Sequence, residues 1–188
     1  MAKTSVSKKS YPWTTTLKGQ QITLRLMQPA DRDALLDFAR SLPTDDLLFL
    51  SVDITEPEAV DAWTRDLQTN RVVTIFAEAN GKLLGHGTLI RNNLTWTRHL
   101  GEIQLLISPD ARGLGLGNLL ASEIFRVAEE YGLQKIVARM AAGQKSAIAV
   151  FERLGFNAEA LLADFVIDRN NRTNDLVVMT YDVTGLTI

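Results

Sequence analysis

Apolar residues in this chain recur at two spacings, and the points where one spacing gives way to the other mark its elements. Ile22, Leu24 and Leu26 are separated by Thr23 and Arg25, the every-second-residue pattern of a strand with one buried face. After Pro29 the spacing widens. Leu35, Phe38, Ala39 and Leu42 fall at i, i+3, i+4 and i+7, a single stripe on a helix that Pro43 ends. Thr44 to Ile54 mixes Asp45 and Asp46 with Leu47, Leu48, Phe49 and Leu50, and reads as a loop or short helix that covers something. Thr55-Glu56-Pro57-Glu58 has the form of a capping box with proline in the first turn. It predicts a second helix to about Gln68, with Val60, Trp63 and Leu67 on the buried side.

β-branched and aromatic residues then dominate Val72 to Glu78, and Asn80-Gly81 separates this run from Lys82 to Ile90, which predicts a hairpin with a two-residue turn. Asn92 and Asn93 suggest another turn before a strand at Gly101 to Ile107. A helix from about Leu116 to Tyr131 would bury Leu119, Leu120, Ile124, Phe125 and Ala128, with Gly132 as its cap. Lys135 to Met140 reads as a strand and Ser146 to Leu154 as a helix capped by Gly155. Two last strands, near Ala158 to Ile167 and Asp175 to Tyr181, flank a polar turn at Asp168 to Thr173. The order predicts an α/β (α+β) fold, with a mixed central β-sheet of about seven strands and about four helices on its two faces.

Composition narrows the possibilities without changing this picture. At 188 residues, 46% hydrophobic and net charge −2, the chain has the size and balance of one soluble domain. Residues 1–12, with Lys3, Lys8 and Lys9 among small polar residues, read as a mobile tail, and 13–188 as a single domain. The tail lacks the apolar core of a signal peptide. No basic excess points to nucleic acid, and no run of about 18 apolar residues points to a membrane. The absence of cysteine excludes disulfides, zinc–thiolate sites and a cysteine nucleophile, which fits a cytoplasmic location. His86, between Gly85 and Gly87, and His99, beside Arg98, lack metal-ligand spacing, so no metal is expected. Either imidazole is of a type that can titrate near neutrality.

The most informative stretch is Arg112-Gly113-Leu114-Gly115-Leu116-Gly117, which joins the strand ending at Ile107 to the long helix. Glycines at alternate positions let successive amides converge at a helix N-terminus, where unpaired donors and the helix dipole suit a phosphate or pyrophosphate. Arg112 adds a fixed fork of donors at the rim. The P-loop is excluded because Asn118-Leu119 follows Gly117 where Lys and Ser or Thr are required, and the dinucleotide fingerprint fails because Asn118 stands where its last Gly belongs.

Arg-X-X-Gly-X-Gly at this junction resembles the signature loop of the GNAT superfamily of N-acetyltransferases. A second segment, Gln144-Lys-Ser-Ala147-Ile148-Ala-Val-Phe151-Glu-Arg-Leu-Gly155-Phe156, resembles the family's Asn-X-X-Ala-Ile-X-X-Tyr-X-X-X-Gly-Phe, departing from it at Gln144 and Phe151. The resemblance covers about Ile22 to Tyr181. It implies a GNAT fold and acetyl-coenzyme A as acyl donor, with the pyrophosphate on Gly113, Leu114, Gly115, Leu116 and Gly117, and Arg112 and Asn118 nearby. The pantetheine arm would then lie beside Ile107, between strands that splay apart, with Gln144 and Phe151 alongside. The acceptor would be the primary amine of a small molecule or peptide, and a homodimer is one assembly the family often forms.

Acetyl transfer requires a base for the ammonium and a proton for the departing thiolate. By resemblance Glu102 is the candidate base, sharing a strand face with Gln104 and Leu106 opposite Ile103, Leu105 and Ile107; the bland alternative is a solvated carboxylate. The family's usual acid is a tyrosine where this chain has Phe151, leaving water, Tyr181 or Tyr131. Asp175, opening the last strand beside Asn174, suggests a turn cap or a point of approach for the acceptor; Trp63 and Trp96 suggest packing, with Trp96 able to line an acceptor pocket; and Asp45-Asp46 suits a cationic amine or is a merely solvated loop. Alternatives to a small-molecule N-acetyltransferase are a non-catalytic acyl-coenzyme A sensing module and a protein lysine acyltransferase.

Overall fold

The structure, a computed structural model, describes residues 10–47, 50, 52–91, 96–168 and 170–184. The chain opens with an antiparallel pair, β1 (Trp13–Leu17) and β2 (Gln20–Leu26). Three helices follow: α1 (Arg32–Ser41), the four-residue α2 (Thr44–Leu47) and α3 (Pro57–Gln68). Next come β3 (Val72–Ala79), β4 (Lys82–Arg91) and β5 (Leu100–Ile107). The rest is α4 (Leu116–Glu130), β6 (Lys135–Ala141), α5 (Lys145–Arg153), β7 (Asn157–Ile167) and β8 (Thr173–Asp182).

All eight strands form one sheet in the order β1-β2-β3-β4-β5-β6-β8-β7, antiparallel throughout except where β5 meets β6 in parallel. The mixed α/β class matches the expectation, with one strand and one helix more than counted from the sequence. The extra strand is β1, where half-buried Trp13, Thr15 and Leu17 alternate with exposed Thr14 and Thr16 over only five residues. The extra helix is α2, a single turn inside the segment read as a cover; Leu48 and Phe49 of that segment lie outside the described residues, as does the turn expected at Asn92 and Asn93. The hairpin turn falls at Asn80-Gly81, both at positive φ, with Ala79 opposite Lys82.

One local expectation fails. Thr55 does not cap α3; its hydroxyl and amide both turn back to Asp53 Oδ1, at 2.6 and 3.0 Å. Glu56 occupies the cap position in extended backbone without a side-chain bond, and Pro57 starts the helix, its missing N–H costing nothing there.

Two apolar layers sandwich the sheet. On one face α4 contributes Leu116, Leu120 and Ile124 against Ile22, Ile75, Leu89, Ile103 and Ile136. On the other, Leu35 and Phe38 of α1 and Val60 and Trp63 of α3 cover Phe76 and Leu106. Because β5 alternates between these layers, Ile103, Leu105 and Ile107 face α4 while Leu106 faces α1 and α3, and Glu102 and Gln104 share its side. Tyr11, within the stretch read as a tail, lies against α4. Its hydroxyl donates to the buried Glu123 carboxylate (2.7 Å), which also accepts from Arg126 (3.0 Å). Among the described residues no helix is long and apolar enough to cross a membrane.

Candidate active site

The site exists because β5 and β6 pair for only three residues. Leu100, Gly101 and Glu102 stand opposite Lys135, Ile136 and Val137. Beyond that point β5 follows β4 as far as Ile107 opposite Gly85, while β6 follows β8 as far as Ala141 opposite Leu176. The two strands therefore part like a V, and the β5 edge from Ile103 to Ile107 faces a cleft instead of a neighbour. Leu105, Leu106 and Ile107 form one wall and Ala147 and Phe151 of α5 the other, enclosing about 430 Å³.

The glycine turn closes the wide end of this V. Ser108 is buried and its amide donates to Leu84 O (2.8 Å), fixing where the chain leaves β5. Gly113 and Gly115 adopt φ of +75° and +92°, left-handed conformations that strain any residue with a Cβ, and a Cβ added at either would meet nothing within 4 Å. The glycines thus serve the path of the backbone and leave open space above it. Gly115 caps α4 without a side-chain bond, and Leu119 N–H donates to Gly115 O to start the helical ladder. The amides of Leu116, Gly117 and Asn118 before it are the donors a helix start leaves over, and Gly117 lines the cleft. A phosphate-bearing group fits this end: converging donors, a dipole of the right sign and no side chain in the way.

Arg112 and Asp46 form an ion pair at the mouth, and both line the cleft. The acidic segment expected to bind a cation or remain solvated is thus engaged with the one basic side chain of the glycine turn. Gln144 sits at the start of α5 and its Oε1 accepts the Ala141 amide (3.1 Å), shaping the turn from β6 into the helix on the opposite wall. Phe151 is buried, edge-on to Phe156 at 5.0 Å between centroids, and presents an apolar ring to the cleft.

Glu102 stands at the apex, on the last paired residue of β5. Burial raises its pKa, and the Arg139 guanidinium, 3.0 Å away on β6, partly opposes that rise. The carboxylate is thus neither freely solvated nor fully neutralised, the environment a weak general base needs. Arg139 is the site residue that sequence reasoning missed. Its signal was present in the alternation of Lys135, Val137 and Arg139 against buried Ile136, Ala138 and Met140, but which strand lay beside β6 was not visible.

The other candidates lie elsewhere. Tyr181 stacks on Phe125 (4.5 Å, 5°) and meets Phe156, and it lines no part of the cleft described here. Tyr131 ends α4 beneath the Arg91 guanidinium, 3.5 Å from its ring. His86 is completely buried between Phe38 and Trp63, and desolvation pushes its pKa down to about 4, so it does not titrate near neutrality. Its Nδ1 bonds Thr88 Oγ1 (3.2 Å) in a buried chain continuing through Thr74 to Trp63 Nε1. His99 belongs to the turn before β5, where its carbonyl accepts the Gln134 amide (2.9 Å). Asp175 lies within β8 and not at a turn; its Oδ1 accepts the Asp164 amide (3.0 Å) across the pair, at a bulge in β7. Trp96 is 86% exposed and packs no core, contrary to the expectation of a packing role.

Residues 34–156, from α1 through the whole cleft, match the family described as Acetyltransferase (GNAT) family. The chain belongs to that family. Mycothiol acetyltransferase of Streptomyces coelicolor is 34% identical to it over 125 residues, 60% of this chain and 39% of that protein. The chain thus spans about two fifths of that relative's length in the matched stretch. Among solved structures, the acetyltransferase of GNAT family from Streptococcus pneumoniae superposes with a TM-score of 0.74 at 20% identity, covering 86% of this chain and 99% of that one. The phosphinothricin acetyltransferase from Sinorhizobium meliloti in complex with AcCoA gives 0.72 at 24% identity, covering 86% and 88%. These likenesses establish the GNAT fold.

Proposed function

We propose that the protein transfers an acetyl group from acetyl-coenzyme A to the primary amine of a small molecule. The observation that carries this reading is the continuity of the V between β5 and β6 with the glycine turn at its wide end. The cleft beside the glycine turn offers amide donors for a pyrophosphate, an unpaired strand edge and an apolar wall, and through Leu105, Leu106, Ala147 and Phe151, which line both, it adjoins the hollow that holds the Glu102 carboxylate.

Bound acetyl-coenzyme A would supply an activated thioester. The amides from Gly113 to Asn118 and the Arg112 guanidinium would hold the pyrophosphate, which requires Arg112 to leave Asp46. The open edge of β5 near Ile107 would pair with the amides of the pantetheine arm, as an added strand does. Leu105, Ala147 and Phe151 would exclude water from the acyl group, and Gln144 would keep α5 in place. Glu102 would accept the ammonium proton, directly or through water. Among the described residues lining the cleft none is a tyrosine, so the departing thiolate would take its proton from solvent. A coenzyme A thiol is a tolerable leaving group near neutral pH, so the reaction would be slowed without being abolished.

That same lack of a tyrosine favours a second reading, an acyl-coenzyme A sensing module, with protein lysines a further acceptor class. Calorimetric titration with acetyl-coenzyme A, combined with thiol release over a panel of amines, separates these readings. Binding with turnover on a small amine supports the proposal. Binding without turnover on any amine supports the sensor, and no binding rejects both.

A further inference from the structure

Glu102 and Arg139 do more than end the donor groove. They also form one wall of a second cleft of about 320 Å³ on the far side of the apex, which Arg71, Ile90, Thr97 and Val137 help to enclose. The size falls within the range of small-ligand sites, roughly 300–1,000 Å³. Among the described residues, Glu102 and Arg139 are common to the linings of the two sides, so a group in this cleft meets the donor groove there.

The cleft's charges are uneven. Among the described residues lining it, Glu102 is the one carboxylate, against the guanidinium groups of Arg71, Arg91 and Arg139. Arg91 is engaged elsewhere, donating to Asn70 O and covering Tyr131. Arg71 reaches Asp66 at 3.2 Å but keeps more than half of its side chain exposed. Arg139 is 54% exposed, and its pairing with Glu102 leaves most of its donors open to solvent. An amine carrying only positive charge would take Glu102, strand Arg139 and add a like charge beside Arg71. An amine with a carboxylate on a neighbouring carbon presents the two opposite charges in the order the pair requires. Its ammonium meets Glu102 and its carboxylate meets Arg139, so both protein charges stay partnered.

We infer that the acetyl acceptor is zwitterionic, a small amino acid whose carboxylate is read by Arg139 and whose amine is presented to Glu102. This rests on the N-acetyl transfer reading of the same site. Glu102 takes one proton from the ammonium and the freed nitrogen attacks the thioester carbon; as the C–N bond forms and the C–S bond breaks, the nitrogen gives up its second proton to solvent. The thiolate takes a proton from solvent, and Glu102 returns its own proton there. The product is an N-acetyl amino acid whose nitrogen no longer carries a charge. Glu102, ionised again, then competes with the product's carboxylate for Arg139, which favours release.

The test measures thiol release from acetyl-coenzyme A with amino acids and their decarboxylated counterparts as matched pairs, for example phenylalanine with phenethylamine. Spermidine and a lysine peptide complete the panel. For at least one pair, kcat/KM is expected to favour the amino acid by about thirtyfold or more, the scale of a charge-assisted bidentate contact. Arg139→Gln should shrink that ratio by about tenfold, mainly through KM for the amino acid, and Arg139→Lys should restore part of it. Equal or better turnover of decarboxylated amines, spermidine or the lysine peptide overturns the zwitterionic acceptor and leaves N-acetyl transfer standing. So does a ratio that Arg139→Gln does not move. No turnover of any amine, with acetyl-coenzyme A bound, overturns both.

Discussion

Glu102 and His86 are two titratable side chains on one face of neighbouring strands, and burial moves them in opposite directions because their charged forms differ in sign. Glu102 keeps a cationic neighbour and an opening to the clefts, and its raised pKa suits the base role proposed for it. In the enzyme saturated with both substrates, kcat should therefore fall as pH drops through a value above that of an ordinary glutamate, and Glu102→Gln should remove this acid limb. His86 has no such opening, and its folded pKa of about 4 lies below the usual 6.5. Between these values the unfolded chain binds the proton and the folded chain does not, so this group's contribution to stability is lost as pH falls from 6.5 towards 4. His86→Leu should flatten that part of the profile. Relative to wild type, the decline in melting temperature over this range should shrink by on the order of 5 °C. An unchanged slope would mean that the imidazole is hydrated in solution. At Gly115, held at φ +92°, alanine should cost about 1–2 kcal/mol of stability and weaken coenzyme A binding about tenfold, as read by chemical denaturation and calorimetry.

At the scale of elements, α2 deserves comparison with the glycine turn it faces. Asp46 holds Arg112 in an exposed pair of the kind that contributes little to stability. Its consequence is competition: the carboxylate occupies the guanidinium that the pyrophosphate would need. Asp46→Asn should therefore tighten coenzyme A binding by about threefold to tenfold, whereas Arg112→Gln should weaken it by a similar factor, with both effects diminishing as salt is raised. Weaker binding in Asp46→Asn would show that the aspartate supports the loop. Elements were largely legible in the sequence where period and punctuation agree. The Asn80-Gly81 hairpin, the Leu35 to Leu42 stripe and the caps at Gly132 and Gly155 needed only local rules. β1 escaped because five residues, Trp13 to Leu17, give too short an alternation, although Lys18 and Gly19, both at positive φ, mark its turn into β2. The Thr55 capping box failed because Asp53 offered that hydroxyl a nearer partner.

For the whole molecule, the defining feature is a sheet that is continuous at one end of β5 and β6 and divided at the other. No local pattern encodes that division. It arises because β8 inserts between β6 and β7 and holds β6 along its full length, while β4 holds β5 from Gly101 to Ile107, so two twisting half-sheets share only three residue pairs. The glycine turn was legible in the sequence because it is a local motif, and the resemblance supplied the expectation of a groove beside it. Arg139, the second cleft and the displacement of Tyr181 into the Phe125 cluster depend on long-range pairing and could not be read from spacing. A ligand spanning both half-sheets should couple them. Acetyl-coenzyme A at a hundred times its Kd should stabilise the fold by about 2.7 kcal/mol, and a thermal shift measures this directly.

In the function proposed above, one groove binds acetyl-coenzyme A and Glu102 at its apex takes the amine's proton. Calorimetry and thiol release measured together on wild type and Glu102→Gln test it most directly. Acetyl-coenzyme A is expected to bind both proteins with similar affinity, with amine-dependent thiol release about a hundredfold slower in the variant. Equal release rates, or a wild-type protein that does not bind acetyl-coenzyme A, would contradict it.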